Sequence, residues 1–386
     1  MGERQQKFFV IISGFTVNDN NRGTAALSYG SIPFMEDKGW LCEGQTLLNY
    51  RFVKNLFKKE NRGVKENIVV AGGKEWTHLT INVPVWEKWL FDRCNIRIPF
   101  TKFGKTIKQV RFVAAINGGD GFSDIYGTYI FYSRLPETLL AIKFNIPFVL
   151  LPQTIGPFNK AGNKKLAHGI LKKALKVYTR DREYEDELKK LHINYEETED
   201  LSFYMQPEPW DVEIKAHPVG LNISGLAYFN HFANLSSQFA YYPELIVRII
   251  QLFQEKRCSV YLIPHSYNIR RPEANNDDML ACQEVYENLQ NRNGVILINK
   301  NLSSPQVKYL ISKMSFFVGT RMHANFAAIY THVPAFGLAY SYKFKGAFEA
   351  NGLVNSTAMI SNLKPQDLDS IVALINQKYS ATKQHE

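Results

Sequence analysis

Phe316-Phe317-Val318-Gly319-Thr320-Arg321-Met322-His323-Ala324-Asn325 carries the reading of the fold. Its opening residues are apolar without alternation, the mark of a strand buried on both faces. The run stops at a glycine, and Thr320 opens a helix. The same grammar extends in both directions. Val295-Ile296-Leu297-Ile298 reads as a strand, and Ser304-Pro305 supplies the N-cap and first position of a helix through Met314. Ser259-Val260-Tyr261-Leu262-Ile263-Pro264 is a strand set between helical stretches over 242–256 and 279–290, and Gly220-Leu221-Asn222-Ile223 begins the series. In the N-terminal half, Phe8-Phe9-Val10-Ile11-Ile12, Arg111-Phe112-Val113-Ala114-Ala115-Ile116 and Phe148-Val149-Leu150-Leu151-Pro152 are strands, with a helix over 135–144 between the last two. Unbroken apolar strands alternating with helices predict an α/β protein of doubly wound, parallel sheets.

A length of 386 residues favours two sizeable domains. The rhythm breaks at Gln206-Pro207-Glu208-Pro209-Trp210, which gives domains over 1–210 and 211–386. It fades again after about residue 345, and a final helix over 368–378 is expected to pack back across the domains. A hydrophobic content of 45% excludes a disordered or collagen-like chain. Cys42, Cys94, Cys258 and Cys282 are far apart and form no C-x-x-C pair, so they read as small buried apolar side chains in a reducing compartment. The apolar stretch 8–15 is too short for a signal segment, and no apolar run reaches the ~18 residues of a spanning helix. A cytoplasmic protein is expected, with peripheral contact at the inner face of a membrane at most.

Lys+Arg 46 against Asp+Glu 36 gives a net charge of +10. That surplus suits anionic small molecules or an anionic membrane surface, and it also serves simple solubility. No dense basic run, zinc finger or RNP motif is present, so nucleic acid is not an expected partner.

In a doubly wound sheet, ligands sit beyond the carboxyl ends of the strands. Gly319 there permits close backbone approach, and the helix that Thr320 opens offers amides to an anion. Arg321 can hold a carboxylate or phosphate through two parallel hydrogen bonds, and His323 can move a proton near neutral pH. A surface charge and a satisfied helix residue are the competing reading. Asn117-Gly118-Gly119-Asp120 and Asn21-Arg22-Gly23-Thr24 are glycine turns after strands, where Asp120 can orient a sugar hydroxyl or act as a base. Arg180, Gln153 and His265 also stand at strand ends. His265 is followed by Asn276-Asp277-Asp278, a set without known metal-ligand spacing, so no metal site is expected. Lys343 and Lys345 add positive charge after the strand ending at Tyr340.

Taken together, Asn21-Arg22-Gly23-Thr24, Gly118-Gly119-Asp120, Gln153-Thr154-Ile155-Gly156-Pro157, Thr179-Arg180-Asp181, Glu199-Asp200-Leu201-Ser202-Phe203, Ile263-Pro264-His265, Gly319-Thr320-Arg321-Met322-His323 and Tyr342-Lys343 resemble the polysaccharide pyruvyl transferase family. The resemblance spans nearly the whole chain. It implies two Rossmann-like domains facing across a cleft, similar to B-type glycosyltransferases. It implies phosphoenolpyruvate as donor, bound by the C-terminal domain, and a sugar diol, free or lipid-linked, as acceptor on the N-terminal side, with no cofactor. It marks Arg321 and His323 as the catalytic pair. Arg180, Gly319, Thr320 and Lys343 fall on the donor, and Asp120, His265 and Gln153 on the acceptor. Two departures stand out: Thr24 where many relatives have Asp, and Glu183-Tyr184 where a Ser is common. A B-type glycosyltransferase using a nucleotide sugar, and a non-catalytic carbohydrate-binding scaffold, are the alternatives to that function.

Overall fold

The computed structural model describes residues 8–54, 63–94, 96–232 and 235–383. Contacts divide the chain into two units. Unit 1 runs to Val17 and resumes over Leu27–Met205, whereas unit 2 takes Asn18–Ala26 and the chain from Gln206 onward. The short segment 18–26 is thus part of the second unit, an assignment that local sequence pattern cannot express.

Unit 1 holds an eight-stranded sheet of β1 (Phe9–Ser13), β2 (Thr46–Val53), β3 (Val64–Ala71), β4 (Lys74–Pro84), β5 (Val110–Ala115), β6 (Phe148–Gln153), β7 (Lys176–Thr179) and β8 (Tyr195–Glu197). Their order is β3-β4-β2-β1-β5-β6-β7-β8. All neighbours are parallel except β3 and β4, which form a hairpin over the positive-φ pair Gly72-Gly73. β1 shows why the strands read as continuous apolar runs. Phe9 and Ile11 enter one core while Val10 and Ile12 enter the core on the other face. The covering helices are α1 (Arg22–Asp37), α2 (Val85–Cys94), α3 (Lys102–Thr106), α4 (Thr128–Ser133), α5 (Pro136–Phe144), α6 (Ala161–Leu171), α7 (Glu185–Lys190) and α8 (Leu201–Tyr204).

Unit 2 is wholly parallel. Its strands are β9 (Pro218–Asn222), β10 (Ser259–Leu262), β11 (Val295–Leu297), β12 (Phe316–Gly319), β13 (Ala335–Ala339) and β14 (Thr357–Met359), in the order β11-β10-β9-β12-β13-β14. Counted within the unit this is 3-2-1-4-5-6, the dinucleotide-fold order, with its reversal between β9 and β12. The helices are α9 (Gly225–Phe229), α10 (Tyr242–Glu255), α11 (Asp278–Asn288), α12 (Ser304–Ile311), α13 (Met322–Ile329), α14 (Tyr342–Ala350) and α15 (Pro365–Lys383).

Several expectations need correction. The N-cap of α12 is Ser303, in a reciprocal capping box with Gln306, one residue before the expected Ser304. Helix α13 opens at Met322 with Arg321 as its N-cap, two residues later than expected. The strand–helix rhythm persists beyond residue 345 through α14, β14 and α15, β14 being only three half-buried residues long and so too short to announce itself. Helix α15 sends Leu368, Ile371, Ile375 and Tyr379 into the core of unit 2, where Tyr379 packs edge-on against Phe253 and Phe316. Cys42 and Cys94 are exposed, while Cys258 and Cys282 are buried. Among the described residues no helix is long and apolar enough to cross a membrane.

Helix α1 meets α8 with almost no space between them. A Cβ on Gly30 would lie 1.7 Å from the carbonyl oxygen of Leu201. Gly30→Ala therefore forces two helices apart, and we expect it to destabilise the protein by about 3 kcal/mol, at the upper end of ordinary overpacking. A urea titration of the variant against the parent checks this.

Candidate functional site

The strand order of unit 2 reverses between β9 and β12, so the loops beyond those two strands frame the crevice in which this fold takes ligands. Both loops are built from buried polar groups. Asn222 closes β9, donating from Nδ2 to the Ile263 carbonyl (3.0 Å) and accepting the Arg321 amide on Oδ1 (2.8 Å). The hydroxyls of Tyr242 and Thr320 meet at 2.7 Å, and the Tyr242 oxygen also accepts the Ser224 amide at 3.1 Å. Asn325 donates from Nδ2 back to the carbonyls of Gly319 (2.8 Å) and Arg321 (3.1 Å), fixing the turn into α13. Side chain and glycine are matched there, since a Cβ on Gly319 would stand 2.8 Å from the Asn325 amide.

Asp278 is the centre of this network. Its carboxylate is fully buried and accepts the amides of Gly225 (2.9 Å), His265 (3.1 Å) and Ser266 (2.9 Å). It also accepts Arg321, with Nη2 at 2.7 Å and Nε at 3.1 Å from Oδ1. Arg321 Nη2 donates as well to Asn276, at 2.9 Å to the carbonyl and 2.8 Å to Oδ1. The guanidinium is thereby held in one plane, and its Nη1 makes no hydrogen bond among the described residues. Burial alone would lower the Arg321 pKa, but the charge and hydrogen bonds of Asp278 outweigh it and hold the group above its ordinary value.

The two histidines lie beside this cation. His323, in the first turn of α13, sets its ring edge-on to Phe326, with centroids 5.7 Å apart. The backbone of Gly23 also lies against it, where a Cβ would come within 2.5 Å of Nδ1. His265 is buried with Nδ1 unpartnered. Burial, reinforced by the nearby positive charges of His323, Arg22 and Arg321, holds its imidazole well below the ordinary range.

Segment 18–26 is locked into unit 2 by Arg22. This buried guanidinium donates to the carbonyls of Leu302 (2.9 Å), Asn20 (2.8 Å), Asp19 (3.1 Å) and Tyr267 (3.3 Å) and to Asn301 Oδ1 (3.0 Å), and it stacks 4.0 Å over the Tyr267 ring. The Arg22 amide donates to the His265 carbonyl at 2.9 Å. Arg22 is a strut whose donors are spent, and it presents Gly23 to His323.

Unit 1 carries the other expected residues. Arg180 is largely buried there, paired through Nη1 with Asp200 Oδ2 (2.7 Å), and its Nε donates to Thr154 Oγ1 (3.2 Å). Burial acts to lower its pKa, but Asp200 raises it further. Gly119, at φ +87, leaves 3.1 Å between its missing Cβ and Arg180 Nη1. Gln153 is fully buried, its Nε2 donating to the carbonyls of Ala115 (2.8 Å) and Leu151 (2.9 Å) and its Oε1 accepting from Asn117 (3.1 Å), so it shapes the loop after β5. Asp120 is half-buried and accepts the Tyr126 hydroxyl at 2.7 Å.

The structure thus brings Gly319, Thr320, Arg321, His323 and His265 together in unit 2, and Asp120, Gln153 and Arg180 in unit 1. His265 thus belongs to unit 2, with Gly319, Thr320, Arg321 and His323, whereas Asp120 and Gln153 belong to unit 1. The side chain of Lys343 lies outside the described residues. The roles of Asn222, Asp278 and Arg22 emerge only from the fold. Asp278 was visible as part of an acidic pair, whose other member, Asp277, caps α11 by accepting the amides of Met279 and Leu280.

A model of the family described as polysaccharide pyruvyl transferase matches residues 48–342, about three quarters of the chain. No curated protein sequence matches it. Among solved structures, a Listeria monocytogenes protein described as a UDP-N-acetylglucosamine 2-epimerase is similar with a TM-score of 0.53 at 9% identity, covering 98% of this chain and 91% of its own. A UDP-GlcNAc 2-epimerase from Neisseria meningitidis, solved with UDP-GlcNAc bound, is similar with a TM-score of 0.50 at 11% identity, covering 97% of this chain and 93% of its own. At those identities the likeness is one of fold: α/β, with two sheets, parallel but for the β3–β4 hairpin, of the kind found in B-type glycosyltransferases.

Two measurements probe the site without a substrate. Asp278→Asn leaves the largely buried Arg321 guanidinium, 12% exposed, without its carboxylate, and breaking such a pair costs about 3 kcal/mol, the low end for a buried pair. A fall of that size in unfolding free energy is expected by urea denaturation. The second is pH dependence. The unfolded chain protonates histidine near pH ~6.5, whereas in the folded protein His265 stays neutral well below that and His78, also buried, is pushed down to about 4. Between those values the unfolded state binds more protons, so stability is full above pH ~6.5 and lost as pH falls. The urea midpoint should drop between pH 7 and 5, and a His78→Gln variant should show a shallower slope.

Proposed function

Because the chain belongs to the polysaccharide pyruvyl transferase family, we propose that it transfers the pyruvyl group of phosphoenolpyruvate to two hydroxyls of a sugar, forming a cyclic ketal on a surface polysaccharide or its precursor, free or lipid-linked. The observation that carries this reading is the arrangement at the β9–β12 reversal. Asp278 holds Arg321 in a fixed plane at the start of α13, with the His323 imidazole in the first turn of the same helix.

Phosphoenolpyruvate is small and strongly anionic, and a planar guanidinium with a donor to spare matches its carboxylate or phosphate. The opening turn of a helix adds amides that lack intrahelical acceptors. Unit 2 is in this reading the donor side. Unit 1, with Asp120 half-exposed on the loop after β5, is the acceptor side.

The chemistry requires a proton on the methylene carbon, which becomes a methyl group and leaves an oxocarbenium-like centre at its neighbour. One sugar hydroxyl attacks that centre, the carbon–oxygen bond to phosphate breaks, and the second hydroxyl closes the ring. Of the two hydroxyl protons, one balances the proton taken up by carbon and the other leaves with inorganic phosphate. His323 is the proton-transfer group, a role whose usual gain is ~10²–10⁴-fold. His265, held neutral beside it, leaves the positive charge of the pair on His323 when that ring is protonated.

The decisive experiment runs the reaction in deuterated water. Since the acid exchanges with solvent, the product methyl group should carry one deuterium, read as a one-unit mass gain on that fragment. A glycosyltransferase using a nucleotide sugar puts no proton on carbon, so its product would gain none, and a scaffold would give no product. A pyruvylated product without carbon-bound deuterium would overturn the protonation step and the role of His323.

A further inference from the structure

We propose that the outer face of α2, together with the segment over 96–105 in unit 1, docks on an anionic lipid bilayer. Helix α2 has two unlike faces. Phe91 packs into the core, stacked on Phe144 with ring centroids 4.8 Å apart, and Glu87 is buried one turn before it. On the opposite side, Trp86 and Trp89 are 54% and 56% exposed, with Arg93 one turn further along the same stripe. Tryptophan is a large apolar side chain, and two at i, i+3 left in water on one short helix are a cost with no structural return within the described chain.

The neighbouring segment extends this face. Ile96 is 49% and Phe100 76% exposed. It is anchored to α2, because the Thr101 hydroxyl donates to the buried Glu87 carboxylate. Thr101 also caps α3 by accepting the Gly104 amide at 3.0 Å. The Ile96 amide donates to the Leu90 carbonyl at 3.3 Å. The apolar side chains are thus offered from a braced surface.

Charge selects the occupant. Over that surface Arg93, Lys102 and Lys105 are exposed, with Lys108 exposed just beyond it, while the acidic residues are Glu87, which is buried, and Asp92, which is paired with Lys88. The Glu87 carboxyl is itself held above the ordinary range by burial, with the Thr101 bond opposing. Lysine is depleted at protein–protein interfaces. Tryptophan flanked by lysine and arginine is the composition of surfaces that lie at the headgroup level of anionic membranes, each basic side chain adding favourably to binding.

The test is co-sedimentation of the full chain with vesicles of phosphatidylcholine alone or mixed with phosphatidylglycerol, supported by tryptophan emission. Binding to the mixed vesicles only, weakened by high salt and accompanied by a blue shift, is expected. Lys102→Glu with Lys105→Glu should reduce partitioning at least ~10-fold. Trp86→Ser with Trp89→Ser, and separately Phe100→Ser, should each weaken it by a comparable factor with the thermal midpoint unchanged, as these side chains are exposed. No binding to either vesicle, or equal binding by all the variants, overturns the proposal. Self-association in sedimentation velocity that the tryptophan variant abolishes, without vesicle binding, overturns it in favour of a second copy of this chain.

Discussion

A buried carboxylate needs hydrogen-bond donors, and Asp278 has them from three directions. The amide of Gly225 comes from the turn after β9, those of His265 and Ser266 from the turn after β10, and the guanidinium of Arg321 from the turn after β12. Each of these turns is a strand end at the reversal of the sheet. A single residue at the start of α11 therefore fixes the distance between three loops, a geometry that Asn222 supports from the end of β9. A buried pair of this kind gives little net stability against an apolar replacement. What it gives here is position.

Unit 1 uses the same device on its own sheet. Arg180 follows β7, is largely buried, and is paired with Asp200, which also caps α8 by accepting the Ser202 amide at 2.8 Å. In both units, then, an arginine at a strand end is held by an aspartate at a helix start, so the negative charge also lies where the helix dipole favours it. The glycines next to these arginines serve approach: Gly119 admits the Arg180 guanidinium, and Gly319 admits the Asn325 amide.

How far the sequence could be read follows from the range of the forces involved. Apolar strands such as 9–12, 112–116 and 316–318 were legible because both faces of the sheet are covered and every position must be apolar. The hairpin of β3 and β4 was not, because β3 lies at the sheet edge and most of its residues face water. Arg321 and His323 were legible as candidates because a glycine, a cation and an imidazole follow a buried strand. Asp278 was not, because its role is defined by amides from loops 12–53 residues away and a side chain 43 residues away. Arg22 was least accessible of all. In sequence it is one basic residue in a glycine turn, and only the fold reveals acceptors 280 residues downstream.

That last separation bears on the order in which the protein can be made. Synthesis proceeds at about 5–20 residues per second, so segment 18–26 emerges on the order of 15–60 s before Leu302 and Asn301, the partners of Arg22. During that interval Arg22 has no carbonyl at residue 302 to meet, and Gly23 has no imidazole at residue 323 to meet. Unit 2 is therefore not a contiguous piece of chain that closes on itself as it is completed. It must capture a strand of polypeptide already leaving and re-entering unit 1, and the surroundings of His323 are assembled only by that late, long-range closure.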